Sequence, residues 1–357
     1  MSRLLFVNNV YPTAECPRMG TYAQTMAECL AKAGHDVDVE AMRYRKPRVG
    51  ALDKIKHYAA FWRRLRTMDL SGYDAVYVNH FTYCFPLLFN PGLERVAKVY
   101  IHWHGKELVA SSAFNRVLVK KLGRHLGRYR HIAPSEFFKR RILAATPLAA
   151  DAVGVSPSGG VDTALFSPAP VRRAPDGRLV IGFPGEIKTT KGADVLLKVM
   201  AAHAKIEAAT GLKPLFRFIA YGPQLDEYVE AFRTTGAEFE VVAKMTKAEM
   251  AGFFRPLDVA LVLSSAVIGE SLGLVALEAM GCGVPVIAHD ICAFPEFVVP
   301  GVSGELAPYA DGDVDARAAA VVDRIIAVSR RREAYDPSRV VRERYSQDSV
   351  VEYYKTL

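Results

Sequence analysis

The sequence predicts an α/β protein of two Rossmann-like domains whose parallel sheets face each other across a central cleft. Three observations carry this. Short apolar strands alternate with amphipathic helices along the whole chain, the pattern of parallel sheets covered by helices on both faces. The strand–helix programme restarts once, after a stretch rich in Ser, Pro and Gly. And 357 residues, 50% hydrophobic and 24% charged, are too many for one ordinary domain and suit two.

The elements follow in order. Residues 4–7, LLFV, form the first strand; the run turns polar at Asn8 and Asn9, too short for a secretory signal and suited to a buried strand. Residues 22–33 form a helix with Met26, Cys29 and Leu30 on one face and Gly34 as its stop. Strands follow at 36–40, 73–79 and 98–102. Residues 156–177 read as a linker. The second programme has strands at 179–183, 215–220, 238–242, 258–263 and 285–288. Its helices are at 193–208, 247–254, 272–280 and 314–329. The domains are therefore placed at 1–168 and 169–344, with a closing helix over 345–357 that packs back on the first.

Composition narrows the classes. No apolar run approaches the ~20 residues that span a bilayer. Cys16, Cys29, Cys84, Cys282 and Cys292 are odd in number and lack CxxC spacing, so neither a zinc site nor a disulfide framework follows. A reducing cytoplasm is the expected compartment. The net charge is +8. It is uneven: residues 1–168 carry 24 Lys+Arg against 13 Asp+Glu, a net +11, and the rest carries −3. A basic first half suits an anionic partner: nucleic acid, anionic membrane or phosphorylated substrate. No nucleic-acid-binding module accompanies it, so no nucleic acid is expected.

The richest stretch is residues 269–288, GESLGLVALEAMGCGVPVIA. Gly273 and Leu274 lie near the N-terminus of the predicted helix, where unpaired amides favour a phosphate. Glu278 on the helix can accept two hydrogen bonds from a ribose diol. Glu270, before the helix, can hold sugar hydroxyls. The alternative is an amphipathic helix with two solvated glutamates.

That string resembles the donor-site signature of glycosyltransferase family 4, retaining enzymes of the GT-B fold. Further segments are similar to that family in the same order: PRMGTYAQTMAECLAKAGHDVDV, HIAPSEFFKRRI, SPSGGVDTALFSP, GAEFEVVAKMTKAEMAGFFRPLDVALVLSS and FPEFVVPGVSGEL. The resemblance runs nearly the full chain. It implies a nucleotide-diphosphate sugar as donor on the second domain and a glycan or lipid-linked acceptor on the first. The setting it implies is bacterial polysaccharide, lipopolysaccharide or glycolipid synthesis. Glu278 matches the ribose-binding glutamate, Glu270 the glutamate on the donor sugar, and Ser271, Gly273 and Leu274 the groups beside the diphosphate. GFPGEIKTTKG (182–192) resembles the phosphate-binding segment, with Gly185, Lys191 and Gly192 in place. The family's Arg is Glu186 here. Lys188 is the nearest substitute, or else a solvated loop lysine; Glu186 can instead face the sugar or the acceptor.

VYIHWHGKEL (99–108) resembles the strand whose terminal His lies near the anomeric carbon, which makes His104 the acceptor-side candidate. Its imidazole can position the acceptor hydroxyl or stabilise positive charge on the sugar. His102 points the same way if the strand continues. His80 ends another strand. Ser135 and Gly20 line the cleft, or else act as a helix cap and a turn. Asp36-Val-Asp38 spells DxD, but inside a predicted strand; no metal is expected, nor any cofactor beyond the donor.

Residues 54–66, KIKHYAAFWRRLR, place Ile55, Tyr58, Trp62 and Leu65 at helical spacing among Lys and Arg. A second basic cluster comprises Lys120, Lys121, Arg124, Arg128, Arg130, Lys139, Arg140 and Arg141. Such a face can lie on the inner surface of the cytoplasmic membrane, or pack on its own domain. Two other functions stay open: a sugar-nucleotide epimerase, and a catalytically silent nucleotide-sugar-binding subunit, the latter favoured by Glu186.

Overall fold

The computed structural model describes residues 2–17, 19–44, 50–108, 113–169, 177–265 and 270–357. The chain divides into two units, 1–160 with 347–357, and 161–346.

The first unit contains β1 (Arg3–Asn8), α1 (Thr21–Lys32), β2 (Asp36–Ala41), α2 (Ala51–Thr67), β3 (Ala75–Asn79), the short α3 (Phe81–Cys84), β4 (Lys98–His102), α4 (Ala113–Leu126), β5 (Arg130–Ala133), α5 (Glu136–Ala145) and β6 (Val153–Val155). Its strands pair in parallel in the order β2-β1-β3-β4-β5-β6. The central strands are buried at nearly every position, as a sheet covered on both faces requires, and successive side chains enter opposite layers. Leu4, Phe6, Tyr77 and Tyr100 pack under α1. Leu5, Val7, Val76, Val78 and Ile101 pack under Phe61 and Leu65 of α2 and the helices after β4 and β5.

The second unit contains β7 (Arg178–Phe183), α6 (Ala193–Ala201), α7 (His203–Thr210), β8 (Lys213–Ile219), α8 (Leu225–Arg233), β9 (Glu238–Val242), α9 (Lys247–Phe254), β10 (Val259–Val262), α10 (Leu274–Gly281), β11 (Val286–His289), β12 (Gly304–Ala307), α11 (Val314–Arg330) and α12 (Pro337–Arg344). The parallel order is β12-β11-β10-β7-β8-β9. The last helix, α13 (Gln347–Tyr354), belongs to the first unit, where the Tyr354 hydroxyl lies 3.2 Å from that of Tyr77.

Several expectations shift. The boundary falls at 160, not 168, because the Val161 amide donates to Tyr345 O and Phe166 is buried against Phe254. Within the predicted linker, residues 170–176 lie outside the described residues. The helix expected over 193–208 is two helices, broken where Ala202 leaves helical geometry (ψ 14°). The helix expected from 272 begins at Leu274, because Gly273 takes a left-handed conformation (φ 85°). On α2 the buried residues are Phe61 and Leu65, with Tyr58 and Trp62 half-buried, while Ile55 is 65% exposed. Residues 51–57 are all exposed, so the predicted apolar stripe is not covered along its first two turns.

Candidate active site

In an open parallel sheet, ligands collect at the carboxyl ends of the strands, where strand order reverses. In the second unit this point lies between β7 and β10. The loop after β7 brings Gly185, Glu186, Lys188 and Lys191; beyond β10 come Ser264 and Glu270, and then α10. The Lys191 ammonium pairs with the Glu270 carboxylate, whose Oε1 also accepts from Ser264 Oγ at 3.0 Å. With Phe183, Gly185, Gly273 and Leu274 they line a recess of ≈ 120 Å³. Gly269, at the head of the 269–288 string, lies outside the described residues.

Two helices start at this recess. Gly192 precedes α6 with φ 90°, and a Cβ there would come within 2.4 Å of Leu263 O. Gly273 precedes α10, where no side chain caps the N-terminus. First-turn amides left unpaired present partial positive charge to an anion. Burial pushes the Lys191 ammonium down to about 8, Lys188 adds to this, and Glu186 opposes it.

Glu278 lies one turn further along α10 and does not line the recess. It is 8% exposed, not solvated. Burial pushes its carboxyl up to about 7, with Lys247 opposing. Among the described residues its carboxylate has no hydrogen-bond partner. Ser271 lies between Glu270 and Gly273, at the approach to α10.

At the position of the family's Arg, Glu186 pairs with Lys188 and accepts from the Tyr221 hydroxyl. Burial raises the Glu186 carboxyl, but these two donors outweigh it and hold it below the ordinary carboxylate range. The Lys188 charge is therefore engaged by Glu186.

In the first unit strand order reverses between β1 and β3. Gly20, at the head of α1, holds φ 79° because a Cβ would lie 2.9 Å from Val10 O; it makes the turn. His104 Nε2 hydrogen-bonds Asn79 Oδ1, Asn79 Nδ2 donates to Asn8 Oδ1 at 3.1 Å, and the His104 amide donates to Glu107 Oε2 at 3.1 Å. His102 stacks on His104 (4.6 Å, 14°) and His80 lies 4.1 Å from it. Two candidates take structural places. His102 is fully buried, 2.5 Å from the Tyr77 hydroxyl, and burial pushes it down to about 3, so it is a neutral core group. Ser135 Oγ accepts from the Phe138 amide at 3.1 Å and caps α5. Burial, then His80 and His102, keep His104 far below its ordinary value and neutral.

Sequence reasoning did not single out Asn79, Glu107 or Tyr22. The polar pair Asn79-His80 at the carboxyl end of an apolar strand was the available signal; Glu107 read as part of a polar loop. Among the described residues no group of three or more His, Cys, Asp or Glu could hold a metal ion.

Leu52 and Ile55 of α2, Phe89, and Phe114 and Val117 of α4 are exposed. Phe85 bridges them, with its ring 5.3 Å from Trp62 and 6.3 Å from Phe114. Arg63 and Arg66 border a groove floored by Trp62, Phe85, Pro86 and Phe89. Of the second basic cluster, the Arg124 side chain lies outside the described residues. No described helix is long and apolar enough to cross a membrane.

Residues 169–336 match the family described as Glycosyl transferases group 1, so the second unit carries a domain of that kind. A D-inositol 3-phosphate glycosyltransferase of Stackebrandtia nassauensis is 34% identical over 171 residues, which is 44% of this chain and 37% of that protein. The chain thus spans less than half the length of the curated relatives it matches. Sucrose-phosphate synthase from Thermosynechococcus elongatus superposes with a TM-score of 0.76 at 17% identity, over 100% of this chain and 98% of its own. HepE of Anabaena, solved in complex with UDP-glucose, gives 0.72 at 16% identity over 100% and 99%. The fold is GT-B.

Proposed function

We propose that the protein is a retaining glycosyltransferase of family 4. It transfers a sugar, with a hexose the expected cargo, from a nucleotide-diphosphate sugar to a glycan or lipid-linked acceptor in bacterial polysaccharide, lipopolysaccharide or glycolipid synthesis. It requires no metal or cofactor beyond the donor. The carrying observation is the recess between β7 and β10. There an ammonium, a carboxylate and an uncapped helix N-terminus converge at the switch point of a sheet.

Breaking a sugar–diphosphate bond puts negative charge on the phosphate and positive character on the sugar. Lys191 and the first turn of α10 stabilise the former. When the donor enters, Lys191 moves from Glu270 to the diphosphate, and Glu270 turns to the sugar hydroxyls. Glu278 takes the ribose diol. HepE, of the same fold, was solved with UDP-glucose, which supports a nucleotide sugar as donor.

The exposed apolar residues of α2 and α4, bordered by Arg63 and Arg66, support peripheral binding to the inner face of the cytoplasmic membrane. Each basic residue near an anionic surface contributes about 1 kcal/mol. The Glu186–Lys188 pair favours one competing reading, a silent nucleotide-sugar-binding subunit. Incubation with UDP-, GDP- and ADP-sugars decides between them: release of nucleoside diphosphate is expected, and binding without release would establish the silent subunit.

A further inference from the structure

Asp194 stands in the first turn of α6, three residues beyond Lys191. The first internal bond of this helix runs from the Leu196 amide to Gly192 O (2.9 Å), so the Asp194 and Val195 amides precede it. An acidic residue in a first turn stabilises its helix, and by the same field it opposes an anion arriving there. The loop that opens α6 carries Lys191 into the donor recess. Asp194 therefore works against a diphosphate in that recess unless another charge cancels it.

Arg317 of α11 supplies that charge. It is 5% exposed, and its guanidinium reaches Asp194 Oδ2 at 3.4 Å. Asp194 is its only ion-pair partner among the described residues. Arg317 Nε donates to Asp313 O at 3.3 Å, and the guanidinium lies 5.3 Å from the centre of the Tyr309 ring, so a carboxylate, a carbonyl and a ring fix its place. The other polar groups around the pair are acceptors. Asp194 Oδ1 and His289 Nε2 are buried without a hydrogen-bond partner among the described residues. His289 ends β11 with Nδ1 3.4 Å from Ser264 O, so its proton sits on Nδ1 and the Nε2 lone pair is bare. Burial brings His289 down to about 4 against that bond, with Arg317 adding, so it stays neutral. Asp290 Oδ1 accepts from the Tyr309 amide at 2.8 Å. A buried ion pair is by itself weak evidence for stability, which leaves room for an electrostatic role.

We propose that Arg317 is a positioning residue of the donor site: it cancels the charge of Asp194 from α11, so that Lys191 and the head of α6 accept the donor diphosphate. This rests on the transferase reading and on its placement of the donor. Arg317 touches no ligand. Its effect falls on the charged part of the donor, because a diphosphate feels the field of Asp194 and a bare nucleoside, which carries no charge, does not.

The test is a double-mutant cycle on the full chain, read by calorimetric titration of UDP, GDP and ADP, each against its nucleoside. Arg317→Met keeps an unbranched side chain over Tyr309 and leaves Asp194 unpaired. It should weaken the diphosphate that the wild type binds by about three- to tenfold and leave the nucleoside within about twofold. Asp194→Asn alone leaves Arg317 unpaired and should strengthen that diphosphate by a similar factor. The double variant should return to within about twofold of wild type. A pair that only ties α6 to α11 would shift nucleoside and diphosphate together, or shift neither, and either result overturns the proposal. Where Arg317→Met does not fold, Asp194→Asn decides by itself: a diphosphate affinity at or below that of wild type overturns the proposal. A wild type that binds none of the diphosphates and none of the nucleosides overturns the donor placement, and the role of Arg317 with it. A wild type that binds a diphosphate while the cycle stays flat overturns the role of Arg317 alone.

Discussion

Lys191 and Glu270 are 79 residues apart in sequence, yet their side chains pair at the ends of two adjacent strands, β7 and β10. The proposed donor site uses the two groups of this pair for the two unlike ends of a sugar diphosphate. In the proposed reading placed groups, not net charge, make the anion site, since the second unit is acidic overall.

Lys191→Gln should weaken nucleoside diphosphates while sparing the bare nucleoside. A hydrogen bond to a charged group contributes about 1.5–3 kcal/mol, so a loss of roughly 10- to 100-fold is expected in calorimetric titration. Because burial brings the Lys191 ammonium down to about 8, wild-type diphosphate affinity should fall as pH rises above that value. Equal losses for nucleoside and diphosphate would remove Lys191 from the phosphate.

Glu278 should link pH to both stability and binding. Its carboxyl is raised to about 7 in the folded chain. The folded state therefore binds a proton that the unfolded chain, with an ordinary glutamate, releases earlier. The stability this gives is fully present below the ordinary glutamate value and is lost as pH rises to about 7. Glu278→Gln should thus gain on wild type across that window, by up to about 3 kcal/mol at ~1.4 kcal/mol per unit. Thermal unfolding at several pH values checks it. Nucleoside affinity should run the other way in wild type and rise with pH through 7, since the ionised carboxylate accepts the diol's hydrogen bonds better.

Glu186→Gln should release Lys188 from its ion pair. Diphosphate affinity is then expected to rise by up to about tenfold and to become more salt-sensitive. No change on titration would mean that Lys188 does not reach the phosphate.

Phe89→Ser with Phe114→Ser should reduce sedimentation with anionic vesicles at low salt and leave unfolding temperature within about 1 °C, because both side chains are exposed. Arg63→Glu with Arg66→Glu should do the same through charge. Sedimentation equal to wild type in both pairs would remove this surface from membrane binding.

Most strands of both units were legible because they are apolar runs with polar ends, as in residues 98–102, found as read. Short strands were not: β6 has three residues, and β12, GELA, is half-buried and carries a charge, so neither stands out from a loop. The order Lys191, Glu270, Gly273, Glu278 was readable because the loop and the helix are local in sequence. Their pairing was not, since it depends on which strands become neighbours. Glu107 shows the limit best. In KEL after HG it looks solvated, and only the His80 ring, 27 positions earlier, reveals it as a buried partner. On α2 the helical spacing was legible and Leu65, Tyr58 and Trp62 turn inward as it implies, while Ile55, near the start of the helix, stays exposed.

The most direct test of the central claim is thermal shift with a panel of nucleotide sugars on wild type and Glu278→Ala in parallel. A donor bound only by the folded chain raises its unfolding temperature by mass action, and no acceptor need be known. At least one nucleotide sugar should stabilise the wild type, and that shift should shrink sharply in Glu278→Ala. A panel that leaves the wild type unmoved, or a shift of equal size in both proteins, would contradict the placement of the donor at α10.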